Sequence, residues 1–218
     1  MSHSTDPEAF QARLRSFRPA RHETARALAL YSAAIAVSEE KCLEGAVRLA
    51  RGFGATVQQL YEVLLQSYLF LGFPRMLIAA GYLGYEPPSD ASVDAPNPSE
   101  MSNWYPRGRE LCKKVYDSNF EKLRSRVENM APEIFQWMLL EGYGKVLSRP
   151  GLEFPVREAA IVACLTVDNR PSQLYSHARG ALNVGTPPGL LVDVVEDIGS
   201  AAAGYDEARA VLEKLRVI

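Results

Sequence analysis

A glutamate and a histidine in the second half of the chain are the residues best suited to acid–base chemistry. Glu158 lies on the apolar stripe of one predicted helix, three and four residues before Ile161 and Val162, and His177 lies within the stripe of the next helix. A charge on an inward helix face must be paired or must change its pKa. We therefore expect Glu158 and His177 to be in contact, directly or through one water, at the centre of a pocket.

Both residues also have purely structural interpretations. His177 could be a core histidine bonded to a backbone carbonyl, and Glu158 could form a buried ion pair with Arg179 or Arg149. His177 is, however, the only histidine after residue 22. It is therefore the one side chain in this half of the chain whose ordinary pKa lies near neutrality.

Three consecutive helices are predicted to position this pair. Pro155 falls in the first turn of the Glu158 helix, where a missing N–H costs little. The His177 helix should begin near Pro171 and end at Gly185, in the position of a C-terminal capping glycine. Thr186 is the predicted N-cap hydroxyl of the third helix, which opens with two prolines.

Composition indicates an ordinary soluble globular protein. Of 218 residues, 47% are hydrophobic and 23% charged, and the net charge of −2 argues against a nucleic-acid or acidic-membrane surface. We find no apolar run of about 18 residues and no apolar signal core, so we expect no membrane span and a cytoplasmic location. Three widely spaced cysteines indicate reduced thiols and no paired-cysteine metal or redox motif.

The pattern of elements predicts an all-α fold in a single domain, residues 1–218. Helical periodicity recurs along the chain and no alternating β-branched stretch occurs. A capping box is predicted at residues 56–59, and the sequence Gly-Phe-Pro-Arg at 72–75 should break the helix that follows it. The polar, proline-rich stretch 85–105 is predicted to be a surface loop.

Similarity between the two halves of the chain suggests two divergent repeats. A shift of 131 residues places Gly54 on Gly185 and repeats the order helix, glycine stop, capped helix, glycine. The first repeat would cover 20–84, and the second would cover 106–218 and carry the site.

The two proposed repeats differ where the chemistry is expected. Ala27 stands at the position of Glu158, and Ala46 stands at the position of His177. The first repeat is therefore interpreted as a degenerate, structural copy.

The sequence around the two site residues resembles a known family. Arg157-Glu158 is followed, after 18 residues, by HARGALNVGT at 177–186, and this pattern looks like the carboxymuconolactone decarboxylase family. Residues 143–158, YGKVLSRPGLEFPVRE, and 107–116, RGRELCKKVY, are also similar to that family. The resemblance covers roughly residues 25–215.

The resemblance implies an all-α fold of packed helical hairpins that assembles into a homo-oligomer, a trimer or a hexamer. It also implies cofactor-free, metal-free decarboxylation of a γ-lactone acid in aromatic (protocatechuate) catabolism, with no nucleic-acid or membrane partner. His177 and Glu158 would be the catalytic residues. The residues expected to bind the small carboxylic acid or lactone substrate are Arg170, Gln173, Arg149 and Tyr143.

The same superfamily includes alkylhydroperoxidase D-like proteins, whose site adds a Cys-x-x-Cys pair between the glutamate and the histidine. The two cysteine positions fall on Arg170 and Gln173 in this chain, so dithiol peroxidase chemistry is disfavoured. Cys42 stands at the second cysteine position of the first repeat, without the accompanying histidine. Another decarboxylase or cyclase on this scaffold and a non-catalytic oligomeric protein stay open as alternatives.

Overall fold

The computed structural model describes residues 4–84 and 98–218, and both ranges are built from helices without any strand. The all-α expectation is therefore confirmed for the described residues. A π-helix, Met138–Leu147, follows α7. The α-helices are α1 (Pro7–Ser16), α2 (Glu23–Val37), α3 (Glu40–Gly52), α4 (Val57–Leu83), α5 (Pro98–Tyr116), α6 (Phe120–Met130), α7 (Pro132–Trp137), α8 (Phe154–Val167), α9 (Pro171–Asn183), α10 (Pro188–Ile198) and α11 (Tyr205–Lys214).

The chain divides into two compact units, where we expected a single domain. Unit 1 comprises Met1–Gly84 and Gly151–Ile218, and unit 2 comprises Tyr85–Pro150. The range 106–218, expected to be one repeat, is therefore shared between the two units. Glu158 and His177 both belong to unit 1.

Two helices, α2 and α8, form the centre of unit 1. All ten residues from Ala27 to Ala36 in α2 are buried, as are all eleven from Arg157 to Val167 in α8. These helices pack against each other, and α8 also packs against α4, α9 and α10. A helix buried all round encloses any polar side chain it carries, whichever way that side chain points. This is why Glu158 is removed from water.

The predicted breaks in the first half are present. Thr56 accepts from the backbone N–H of Gln59, and the Gln59 side chain accepts from the backbone N–H of Thr56, which completes the capping box of α4. Gly72 interrupts the same helix with a φ of 78°, a left-handed conformation that glycine adopts without strain. The chain therefore bends between Phe70 and Arg75.

The expected N-cap of α10 is wrong by one residue. Pro187 holds the N-cap position and makes no side-chain capping bond. The Thr186 hydroxyl instead donates to the backbone carbonyl of Pro155, at 3.3 Å. Pro188 disfavours helical backbone at the residue before it, so Pro187 is extended, with a ψ of 128°, and the helix begins one residue later than expected. The Thr186 hydroxyl then finds its acceptor on α8.

The expected surface loop 85–105 is shorter than predicted. Residues 98–105 are helical and form the beginning of α5. Pro98 is its first residue and Glu100 lies in its first turn, both favourable at a helix N-terminus. Residues 85–97, also assigned to that loop, lie outside the described residues.

The helix α4 is long and apolar, although we expected no membrane-spanning segment from the sequence. With 27 residues, it could cross a membrane by length and composition alone. Core helices of soluble proteins meet the same criterion, and α4 carries the buried polar residues Glu62, Gln66 and Ser67. This property therefore does not place the chain in a membrane.

Candidate active site

Glu158 and His177 are hydrogen-bonded to each other. Glu158 Oε2 lies 2.9 Å from His177 Nδ1, with Glu158 fully buried and His177 9% exposed. The contact expected from the sequence is therefore confirmed, whereas its role in catalysis stays a prediction. A carboxylate beside Nδ1 favours a proton on that nitrogen. Nε2 is then the nitrogen that can exchange a proton with a ligand.

A short turn between α8 and α9 brings the pair together. The turn runs from Asp168 to Arg170, and its central residue, Asn169, has a φ of 51°. Glu158 precedes the turn by about 15 Å of helix and His177 follows it by about 10 Å, at 1.5 Å per residue. The two residues thus lie at different distances from the turn, and their side chains bridge the difference.

The second oxygen of Glu158 has no partner among the described residues. Glu158 Oε1 is buried and accepts no hydrogen bond. A buried carboxylate oxygen without a donor costs free energy, and such atoms need an explanation. Glu158 therefore has an acceptor that the described side chains leave unused.

Phe70 on α4 contacts the ring of His177. The ring centroids lie 5.1 Å apart with an interplanar angle of 85°, an edge-to-face arrangement. This contact restricts the imidazole orientation and covers one of its sides. Phe70 was not predicted, since nothing in the apolar sequence of α4 distinguishes it from a core residue.

A second buried pair stands next to the first, and it was not predicted from the sequence. Arg157 Nη2 donates to Glu62 Oε2 at 2.9 Å, and both side chains are fully buried. Gln66 and Gln58 also hydrogen-bond with this pair. The polar residues of α4 recur every four positions, at 58, 62 and 66, and that stripe is the signal that could have revealed the pair.

The predicted substrate-binding residues of α9 share a face with His177. Arg170, Gln173 and His177 are separated by three and four residues, which places them on one side of the helix. Gln173 is exposed, and the Arg170 side chain is 61% exposed. Arg170 Nε donates to Asp168 Oδ2 at 2.8 Å, so this arginine is held in place.

The other two predicted binding residues, Tyr143 and Arg149, belong to unit 2. Tyr143 is buried within that unit in the π-helix, where its ring packs edge-to-face on Tyr116 at 6.5 Å. Their expected contact with the substrate stays a prediction.

The cysteines do not have the properties of reactive thiols. Cys42, Cys112 and Cys164 are all buried, and burial raises the pKa of each thiol to about 12. The reactive thiolate is therefore scarce at neutral pH. Among the described residues, no group of three or more His, Cys, Asp or Glu side chains is arranged to hold a metal ion.

No protein-family model matches the chain, and no curated protein matches it. The structure thus defines the chain as a helical protein with a buried carboxylate–imidazole pair at the centre of unit 1.

Proposed function

We propose that the protein is a cofactor-free decarboxylase of a γ-lactone acid, of the carboxymuconolactone decarboxylase type. The observation that carries the proposal is the hydrogen bond between Glu158 and His177. It joins a fully buried carboxylate to an imidazole that keeps some exposure. Such a pair orients the ring and stabilises the imidazolium that forms on proton uptake.

The proposed substrate supplies its own electron sink. In a butenolide with a carboxylate on the γ carbon, the bond from that carbon to the carboxylate breaks and carbon dioxide leaves. The electron pair moves through the ring double bond to the lactone carbonyl, giving an oxyfuran-like anion. Protonation of a ring carbon then restores the lactone. The protein needs a cation that orients the acid, a donor at the carbonyl oxygen, and a proton donor.

His177 is the group suited to deliver that proton. With Nδ1 bonded to Glu158, Nε2–H of the imidazolium donates to the ring carbon, and water later replaces the proton. The same N–H can donate to the carbonyl oxygen while negative charge develops there. Arg170 and Gln173, on the same helix face, would contact the acid group and the lactone.

The proposed architecture is a pair of alkylhydroperoxidase D-like repeats. Two observations support it. First, α2 and α3 begin at residues 23 and 40, and α8 and α9 begin 131 residues later, at 154 and 171. Second, Arg26 on α2 pairs with Asp197 on α10, and Arg157 on α8 pairs with Glu62 on α4. The two arginines are also 131 residues apart, and each reaches the helix that follows the other hairpin.

A homo-oligomer in the cytoplasm, a trimer or a hexamer, is part of the proposal. Three large apolar residues after the break in α4 are 49–63% exposed, namely Phe73, Leu77 and Ile78. Apolar surface of this kind is often covered in an assembly. Light scattering at micromolar concentration should therefore give a mass above that of the 24.1 kDa chain, and a monomer would contradict this part.

The test of the reaction is carbon dioxide release from a panel of γ-carboxylated butenolides and β-keto acids. We expect turnover of a butenolide acid, with deuterium entering at a ring carbon in heavy water. His177→Gln should lower the rate constant about 10²–10⁴-fold. His22→Asn is the matched control, because His22 is exposed at the start of α2. A folded H177Q variant with unchanged turnover would exclude His177 as the proton donor.

A further inference from the structure

Asp168, at the end of α8, is held between two arginines from different helices. Its Oδ1 accepts from Nη1 of Arg75 at 2.7 Å, and its Oδ2 accepts from Nε of Arg170 at 2.8 Å. The Asp168 side chain is only 15% exposed, whereas those of Arg75 and Arg170 are 39% and 61% exposed. The carboxylate is therefore largely enclosed, and the guanidinium groups extend from it towards solvent.

The two arginines retain both charge and hydrogen-bond donors. Two cations share one carboxylate, which leaves one net positive charge at this position. Each guanidinium donates to Asp168 through a single nitrogen, although an arginine side chain carries five N–H donors. Arg170 also stands at the N-terminus of α9, where a cation opposes the helix dipole and a bound anion would offset that cost.

The arginines lie at the exposed end of the face that carries His177. Along α9, Arg170 precedes His177 by seven residues, two turns, or about 10 Å. Along α4, Phe70 contacts the His177 ring, and Arg75 follows five residues later, beyond the break at Gly72. Phe70 thus lies beside His177, and Arg75 lies beside the α8–α9 turn, next to Arg170.

We propose that Arg75 and Arg170, positioned by Asp168, form a binding site for an oxyanion group of a ligand whose other end reaches His177. Guanidinium groups bind carboxylate and phosphate through paired N–H donors, so either group fits the site. The two turns of α9 between Arg170 and His177, about 10 Å along the helix axis, suit a small, elongated molecule. This inference rests on the proposed function only in taking His177 as the reacting end.

The test follows the side-chain Nε–Hε signals of both arginines by nuclear magnetic resonance in the ¹⁵N-labelled protein. Glutarate and inorganic phosphate are titrated separately at constant ionic strength, and Arg75→Gln and Arg170→Gln assign the signals. We expect both signals to shift and to saturate as the probe is added. In either variant, the affinity for the probe should be about tenfold weaker than in the wild type. The tighter of the two probes identifies the anion as carboxylate or phosphate.

Arg209 provides the matched control, since its side chain is 43% exposed and it pairs with one carboxylate, that of Glu196. Shifts of the Arg75 and Arg170 signals that do not saturate, or that equal the shift at Arg209, would overturn the proposal. Decarboxylation with an unchanged KM in R75Q and R170Q would also overturn it while leaving the reaction intact. Saturable binding without any turnover would retain this site and reject the proposed reaction.

Discussion

The two helical hairpins at the centre of unit 1, α2–α3 and α8–α9, have the same layout and different chemistry. The first helices of the hairpins have 15 and 14 residues, and the second helices both have 13. In each hairpin the turn contains one left-handed residue that is not glycine, Ser38 at a φ of 59° and Asn169 at 51°. Each hairpin also contributes one arginine, Arg26 or Arg157, to an ion pair with another helix.

The chemical difference lies at two positions that correspond by the 131-residue offset between the hairpins. Ala27 and Ala46 are fully buried in the first hairpin, where the second has Glu158 and His177. Methyl groups occupy such positions without electrostatic cost, whereas a carboxylate must be desolvated and needs a partner. The first hairpin shows that this layout packs without the polar pair. Packing therefore does not account for Glu158 and His177, which favours a chemical role.

The largest effect on stability should come from the ion pair of the second hairpin. Arg157→Met removes the cation from the fully buried carboxylate of Glu62, which should lower the free energy of unfolding by about 3–5 kcal/mol. Urea denaturation measures the change. The double variant R157M/E62L should recover most of the loss, because it buries no charge. A loss below about 1 kcal/mol in R157M would show that the pair is not important for stability.

The corresponding change in the first hairpin should cost less. Arg26 pairs with Asp197 and approaches Asp193, whose side chains are 12% and 19% exposed. Burial raises the pKa of Asp197 in spite of the neighbouring arginine, so Arg26 offsets only part of the cost of burying this carboxylate. We expect Arg26→Met to cost about 1–3 kcal/mol in the same urea experiment. A cost equal to that of R157M would remove the distinction between the two pairs.

The two turns should respond differently to glycine. A non-glycine residue in the left-handed region is strained, but asparagine tolerates that region better than serine. Ser38→Gly should therefore stabilise the protein by about 0.5–1 kcal/mol, while Asn169→Gly should give no gain. Thermal unfolding of both variants at one pH measures the difference. A lower melting temperature in S38G would mean that the serine side chain contributes more than the strain costs.

The smallest effect should be a pH dependence that comes from Asp168 in the second turn. Burial acts to raise the pKa of Asp168, but hydrogen bonds from Arg170 and Arg75 outweigh it and hold that pKa below the ordinary 3.8. The ionised carboxylate is thus favoured by folding. Its contribution to stability is present above pH 3.8 and is lost as the pH falls through the lowered pKa.

Asp168→Asn should remove this contribution, which we expect to be below about 1 kcal/mol because both arginines are partly exposed. The stability difference between wild type and D168N should be largest near neutral pH and should shrink below about pH 4. Urea denaturation across this range measures it. A difference that grows on acidification would contradict a lowered pKa for the Asp168 carboxyl.

Local sequence patterns were enough to predict the helices of the site and the residues that face inward. The 3.6-residue periodicity, the Thr56 capping box and the break at Gly72 act within one or two turns, so they can be read without knowing the fold. The same local logic placed Glu158 and His177 on neighbouring apolar faces. It failed at the start of α5, where the polar, proline-rich sequence favoured a loop, and where two prolines displaced the cap of α10.

The pairing of the polar groups could not be predicted in this way, because it depends on how the helices pack. Glu158 is hydrogen-bonded to His177, whereas the sequence also allowed an ion pair with Arg179 or Arg149. Glu62 lies 95 residues from its partner on α8, and Arg75 lies 93 residues from Asp168. Such pairs depend on how each helix is rotated about its axis and on the angle at which it crosses its neighbours. The packing of the whole core sets both quantities, and no stretch of sequence encodes them alone.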